Sequence, residues 1–353
     1  MTALAFDGAS IVRESLGLGA EGSVWQRWEQ GPLAARCLLA RDGSFDPDAE
    51  AVVCIGAFDG FHVGHRALMA AAQADARLRG LPCLALTFEP DPAELFLGDR
   101  APSRLLSCED RAQMIVSTGV DAVVMLAFDE HLASLSPQDF VDQVLCGLVR
   151  PASLHVGSNF HFGRAGSGDE ATLCELGRQR GFGVTVHPLV EHHGAPVSST
   201  RVRTLLGQPA GLEEANGLLG RCHFLRGLVA HGRGEGTSFG FPTANVHFST
   251  RFCLPAEGVY AGYVSMDGAA WPAAINVGAP PSFSVANTHF CEANLLGFSG
   301  DLYGSEVAVS FVSWLRASRS FDSLDELERV VMGNIDWVRT HLGTTRVEVE
   351  HDH

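Results

Sequence analysis

Two histidines three residues apart are the first sign of chemistry in this chain. They lie in Gly56-Ala57-Phe58-Asp59-Gly60-Phe61-His62-Val63-Gly64-His65, between a short apolar run and an alanine-rich stretch of helical period. A turn that leaves a buried strand and opens a helix aims free backbone N–H groups and the positive end of a helix dipole at an anion. Gly60 and Gly64 let the backbone approach a phosphate without a Cβ in the way. His62 and His65 then project from one side of the helix start. Two imidazole donors there suit the oxygens of an α-phosphate under in-line attack, with no covalent intermediate. Gly56, Phe58, Asp59 and Gly60 are the nucleotide-binding candidates of this loop, and His62 and His65 the catalytic ones. A His-bearing loop at a sheet edge remains the plain alternative. A zinc site lacks a third ligand at a recognisable spacing.

A second cluster lies far along the chain, in Val197-Ser198-Ser199-Thr200-Arg201-Val202-Arg203. Three hydroxyls followed by arginines at the start of a helix read either as an N-cap or as a phosphate cradle. With the histidine loop, Ser198, Ser199, Thr200 and Arg203 read as the opposite wall of one nucleoside triphosphate site.

A third cluster follows in His231-Gly232-Arg233-Gly234-Glu235-Gly236 and Phe239-Gly240-Phe241-Pro242-Thr243-Ala244-Asn245. Gly232, Gly234 and Gly236 permit a loop whose backbone donors wrap phosphates, although such hairpins are also built for structure alone. The spacing is neither a Walker A loop nor a dinucleotide fingerprint. Thr243 and Asn245 form a turn in this reading and offer hard oxygen ligands for a nucleotide-bound Mg²⁺.

Composition narrows the field further. The 353 residues carry a formal charge of −16, and all 25 basic residues are arginine. Without lysine there is no Walker A lysine, no pyridoxal Schiff base and no lysyl-AMP. Phosphates must be held by backbone N–H groups, Arg, His, hydroxyls and metal. The absence of a basic block argues against nucleic acid as a partner. No run approaches 18 apolar residues and no signal segment opens the chain, so a cytoplasmic protein without a membrane span is expected. The nine cysteines are scattered, the nearest two 17 residues apart, with no CxxC pair. A reducing compartment and small core residues explain them. The sequence does not report the oligomeric state, with a monomer slightly favoured.

The elements that must position these groups follow from periodicity. Ala51–Gly56, Leu81–Phe88, Ala122–Phe128, Ser153–Val156 and Gly183–Pro188 read as strands. Gly64–Leu78, Cys108–Thr118 and Ser136–Leu148 read as helices between them. The alternation predicts an α/β half: a doubly wound, Rossmann-like parallel sheet. Beyond about Gly207 come short segments punctuated by Gly, Pro, Asn and Asp: His223–Ala230, Gly258–Ser265, Trp271–Val277, Phe290–Leu296 and Val307–Trp314. They predict a small antiparallel β-barrel, closed by a C-terminal helix over Leu324–Leu342. The expected division is 1–208 and 209–353, with 1–48 too weakly patterned for a reading.

Together, Gly56–His65 and Ser198–Arg203 resemble the HxGH nucleotidyltransferase superfamily. The motif order over roughly residues 50–343 resembles the bacterial bifunctional riboflavin kinase/FMN adenylyltransferase (FAD synthetase) family. The further matches are Thr87-Phe88-Glu89-Pro90, Arg104-Leu105-Leu106-Ser107, Phe128-Asp129-Glu130 with Leu135-Ser136-Pro137, and Gly157-Ser158-Asn159-Phe160-His161-Phe162-Gly163. In the second half they are Asn276–Phe283, Glu292-Ala293-Asn294-Leu295-Leu296 and Gly300-Asp301-Leu302-Tyr303-Gly304.

The resemblance implies that AMP passes from ATP to FMN in the first half, giving FAD and pyrophosphate, and that riboflavin is phosphorylated to FMN in the second. It gives His62 and His65 the transferring phosphate, and Ser199, Thr200 and Arg203 the departing pyrophosphate. Phe88 and Asn159 become flavin contacts, with a core aromatic and a turn residue as the plain alternatives. Thr243 and Asn245 become Mg·ATP ligands, and Glu292 the base for the flavin 5′-hydroxyl; a solvated strand carboxylate is the alternative for Glu292. Departures from the family pattern are Asp91 in the first half and Cys222, Thr237, Ser282, Asn294 and Gly297 in the second. An adenylyltransferase with an inactive or flavin-binding barrel, a flavin sensor without turnover, and a related transferase for another acceptor are the competing readings.

Overall fold

The computed structural model describes residues 7–17, 24–26, 35–40, 46, 49–230, 243–278 and 288–349. The chain packs as two units. One comprises Gly19–Pro102 and Ser107–Ser198, the other Met1–Leu18, Ser103–Leu106 and Ser199–His353.

The first unit is built on a seven-stranded sheet. Its strands are β1 (Val24–Gln26), β2 (Ala35–Ala40), β3 (Ala51–Ile55), β4 (Cys83–Glu89), β5 (Ala122–Ala127), β6 (Pro151–Gly157) and β7 (Gly183–His187), in the order β1-β2-β5-β4-β3-β6-β7. The five strands β3 to β7 pair in parallel, and β1 and β2 add an antiparallel edge. All five residues of β3 are buried, as a strand covered on both faces requires. The chain starts at the centre, moves out through β4 and β5, then returns to build β6 and β7 on the other side. That reversal makes a crevice at the carboxyl ends of β3 and its neighbours, where α/β sheets hold ligands. A short hairpin, β8 (Glu191–His192) with β9 (Ala195–Pro196), follows the sheet.

The helices between these strands start where side chains can cap them. Ser107, Asp129, Ser136 and Asp169 each accept a hydrogen bond from a backbone N–H of the first turn, which stabilises a helix start. The stretch expected as one α-helix over Ser136–Leu148 differs in detail: after one turn it winds as a π-helix over Phe140–Val149. Its buried residues Phe140, Val141, Val144, Leu145, Leu148 and Val149 recur every four positions, which a wider winding keeps on one face.

The second unit is the expected barrel. Its strands β10 (His223–Ala230), β11 (Ala244–Ser249), β12 (Gly258–Met266), β13 (Ala269–Val277), β14 (Thr288–Leu295) and β15 (Glu306–Arg316) are antiparallel, and the β12–β13 pairing closes the ring. β16 (Val347–Glu348) extends it on β13. At Gly262 a Cβ would lie 2.0 Å from the Ser310 carbonyl oxygen, so β12 and β15 approach only through glycine. The C-terminal helix spans Leu324–Leu342, capped by Ser323. Residues 1–48, left without a reading, contribute β1, β2 and a helix over Gly8–Leu16 that packs on β10, β12, β13 and β16. Val12 and Leu16 of that helix are buried.

Candidate active sites

In the parallel-sheet unit, the loop after β3 is pinned before it reaches the histidines. The Ala57 carbonyl accepts from Thr87 Oγ1 at 3.1 Å and from Arg111 Nη1 at 3.0 Å. Phe58 and Phe61 have φ of 54° and 39°, a left-handed conformation that is costly for such side chains and clusters at functional sites. Both rings are almost fully buried, which holds the strained turn in place. A Cβ on Gly56 would lie 2.9 Å from the Phe58 ring, and one on Gly64 3.2 Å from the His62 ring.

His62 is the N-cap of the helix Val63–Arg79. Its Nδ1 accepts from the His65 backbone N–H at 3.3 Å. Accepting there places the ring proton of neutral His62 on Nε2, leaving that N–H as a donor. Burial lowers the His62 pKa to about 4. His65 is pushed well below its ordinary value by burial first, then by His62 and the Arg111 charge. The two rings stack at 3.6 Å, and Phe58 meets His65 edge-on at 5.3 Å. The pair is therefore neutral at pH 7. His65 Nδ1 is buried without a hydrogen-bond partner.

The other expected residues of this unit divide. Asp59 is 7% exposed, and the side chains of Phe58 and Asp59 are enclosed with the loop rather than spread on its surface. Phe88 is 6% exposed and packs edge-on to Phe128 at 5.6 Å, so its side chain belongs to the core. Asn159 is exposed on the loop after β6, the strand beside β3. Val190 lies 3.9 Å from the Cβ position of Gly64, and the Val190 carbonyl accepts from Val197 N–H. Ser198 is the next residue, half-buried. Asp91, noted as a departure, caps the short helix Pro92–Leu97 by accepting from Ala93 N–H at 2.9 Å.

Ser199, Thr200 and Arg203 open the helix Ser199–Leu206, which belongs to the barrel unit. There Arg203 Nε donates to the Ser103 carbonyl at 2.6 Å.

In the barrel, Glu292 on β14 stands directly opposite Asn245 on β11 and Asn276 on β13. Side chains paired in this way share one face about 5 Å apart. Thr243 precedes β11 and Asn245 is its second residue, so the expected turn at these residues is a strand entry instead. Pairing on both sides, with β10 and β14, explains the difference. Glu292, Asn276 and Thr243 line a cavity of about 350 Å³ with Arg316, Arg319 and Phe321. Arg319 lies 5.1 Å over the Phe321 ring and Arg316 5.7 Å. The expected loop residues Gly232, Gly234 and Gly236 lie outside the described residues, as do Thr237 and Ser282.

Sequence comparison finds two family matches along the chain. Residues 45–201 match the family model for FAD synthetase, and residues 219–342 the model for riboflavin kinase. The chain is similar to the bifunctional riboflavin kinase/FMN adenylyltransferase of Pseudomonas fluorescens, at 38% identity over 80% of this chain and 90% of that one. It is similar to the Escherichia coli K12 protein of the same description, at 36% over 85% and 95%.

The chain belongs to the bifunctional riboflavin kinase/FMN adenylyltransferase family.

Its Bacillus subtilis relative is 32% identical over 80% of this chain and 89% of that one. A crystal structure described as a macrolide-efflux protein from Streptococcus pneumoniae matches the fold with a TM-score of 0.75 at 28% identity, covering 84% of this chain and 96% of that one. Among the described residues no helix is long and apolar enough to cross a membrane, and no group of three His, Cys, Asp or Glu side chains is placed to hold a metal ion.

Within this family member, three residues escaped the sequence reading, and Asn276 entered it only as part of the motif Asn276–Phe283. Arg111 is 4% exposed beneath the histidine loop; its one signal was a charge at a buried phase of the helix Cys108–Val116. Asn276, Arg316 and Arg319 line the barrel cavity, and only strand register brings Asn276 beside Glu292.

Proposed function

We propose that the chain makes FAD from riboflavin in two ATP-dependent steps, with adenylyl transfer in the parallel-sheet half and phosphorylation in the barrel. Membership of the bifunctional family supports both activities, with riboflavin, FMN and ATP as substrates. The observation that carries the site assignment is the His62 cap: it fixes a neutral imidazole with its N–H on Nε2 at a helix mouth.

In the first half, an FMN phosphate oxygen attacks the α-phosphorus of ATP. The bond from that phosphorus to the bridging oxygen breaks, and pyrophosphate leaves. The attacking phosphate is already an anion, so no base is required. His62 and His65 donate to the oxygens that gain charge, and the helix dipole adds to them. Asn159 contacts the flavin or its phosphate, while Phe88 acts through the wall it builds with Phe128. Ser198, the last residue of this unit, binds the pyrophosphate.

In the barrel, the riboflavin 5′-hydroxyl attacks the γ-phosphorus and ADP leaves. Glu292 takes the hydroxyl proton. Thr243, Asn245 and Glu292 supply oxygen donors only, a set that fits Mg²⁺ shared with nucleotide phosphates. The ion, when bound, neutralises charge on the phosphates. Gly232, Gly234 and Gly236 complete the nucleotide loop. Apart from Cys37, the cysteines are free thiols, which supports action in a reducing compartment, the cytoplasm.

Incubation with riboflavin, ATP and Mg²⁺, followed by separation of the flavins, tests both steps together. FMN and then FAD should accumulate. FMN without FAD would remove the first-half assignment, and FAD only from supplied FMN would leave the barrel a binding module.

A further inference from the structure

We propose that Arg111 is the positioning residue of the adenylyl-transfer site, locking the ends of β3 and β4 together and holding the His62–His65 pair in its working geometry. The inference rests on the adenylyl-transfer reading of this half.

The geometry gives one guanidinium three acceptors on two strand ends. Nη1 donates to the Ala57 carbonyl at 3.0 Å, just beyond β3. Nη2 donates to the Phe88 carbonyl at 2.7 Å and to Glu89 Oε2 at 2.9 Å, both at the end of β4. A planar fork can serve such a spread, whereas an ammonium on a flexible stem cannot reproduce it. Ala57 starts the strained turn that delivers His62, so a shift of its carbonyl is passed to the imidazoles.

The charge matters as well as the fork. Tying two strand ends through backbone carbonyls needs only neutral donors, and burying a guanidinium is costly unless it is well paired. Glu89 is the carboxylate bonded to it, with a side chain 28% exposed. The charged and titratable groups that bear on His65 are His62, at the cap of its own helix, and Arg111, from the helix Cys108–Val116. Phe58 and Phe61 fill the rest of its ring contacts. Arg111 thus opposes protonation of His65 while its fork fixes the loop. Its Nε is buried with no partner of its own, so the bonds that remain are those to Ala57, Phe88 and Glu89.

Full-length Arg111→Met and Arg111→Lys test both roles. In Arg111→Met, kcat for FAD formation from FMN and ATP should fall about tenfold or more, with the KM for FMN within about threefold. The His65 imidazole NMR signal, assigned by its loss in His65→Gln, should titrate at higher pH than in the unsubstituted chain. Arg111→Lys keeps the charge, so its His65 midpoint should stay near the original while kcat still falls, about fivefold or more. An unmoved His65 midpoint in Arg111→Met, or kcat within about twofold of the original in Arg111→Lys, overturns the proposal; the Lys variant decides alone if the Met variant does not fold. The titration needs no turnover. An unsubstituted chain that makes no FAD would instead defeat the adenylyl-transfer reading itself.

Discussion

The two halves solve neighbouring problems in phosphate chemistry with opposite environments. In the parallel-sheet half the proposed donors are largely enclosed: His62 is 6% exposed and His65 half-buried. In the barrel the proposed base, Glu292, is exposed on a strand between two amides and lines a cavity. The difference follows from the proton inventory of each step. Adenylyl transfer to FMN moves a group onto an oxygen that is already anionic, so fixed neutral donors suffice and burial strengthens them. Phosphorylating a hydroxyl releases a proton, so a carboxylate must stay ionised, which favours hydration and neutral neighbours.

The sharpest break in this comparison comes from removing the base alone. Glu292→Gln should reduce FMN formation by about 10²–10⁴-fold while FAD formation from supplied FMN is unchanged. Parallel loss of both activities would show that the two sites are not separate. His62→Ala should do the reverse, lowering adenylyl transfer about 10²–10³-fold with FMN affinity altered far less and kinase turnover intact. A change in turnover below about threefold would remove the donor role.

Asn276→Asp sharpens the contrast, because it puts a second carboxylate opposite Glu292. Like charges raise each other's pKa, so the acid limb of the kinase pH profile should move to higher pH, with the adenylyl-transfer profile unmoved. A kinase profile that keeps its position would separate Asn276 from the base.

The smallest effect concerns acid stability and touches both halves alike. His62 has its folded pKa lowered to about 4, and His223 in the barrel to about 3, each mainly by burial. The unfolded imidazole titrates near 6.5, so below that pH the unfolded chain takes up protons that the folded chain refuses. The stability is complete above about pH 6.5 and is lost as pH falls toward the folded values. At pH 5 each histidine should have cost about 2 kcal/mol, lowering the denaturation midpoint relative to pH 7. Equal midpoints at the two pH values would contradict the burial argument.

Much of this architecture was legible because local signals agreed. The apolar runs at β3 and β5, the helical stretches that begin at Cys108 and Leu324, and the HxGH turn all act within a few residues of themselves, whereas the helix after Asp169 went unread. The strand β2, by contrast, is defined by its pairing with β5 across about eighty to ninety residues, and no local pattern announces that. The helix Gly8–Leu16 was missed for the same reason: nine residues make a marginal helix until a surface covers them. At the sites, residue type exposed the imidazoles and Glu292, but Asn276 gains its meaning only from register and Arg111 only from the burial of its helix face. Phe88 marks the converse case, where a motif position supplies a carbonyl and a packed ring rather than an exposed aromatic surface.

The helix Gly8–Leu16 also sets an order of events during synthesis. It docks against strands β10, β12 and β13, and the first residue of β12 is made 242 positions after the helix ends, at 258 against 16. At roughly 5–20 residues per second that is a wait of about ten to fifty seconds on the ribosome. During this interval Val12 and Leu16 have no apolar surface to cover them, and the barrel cannot be sealed until its last strands emerge. This helix is therefore translated long before the strands that cover it and is among the last elements to find its place.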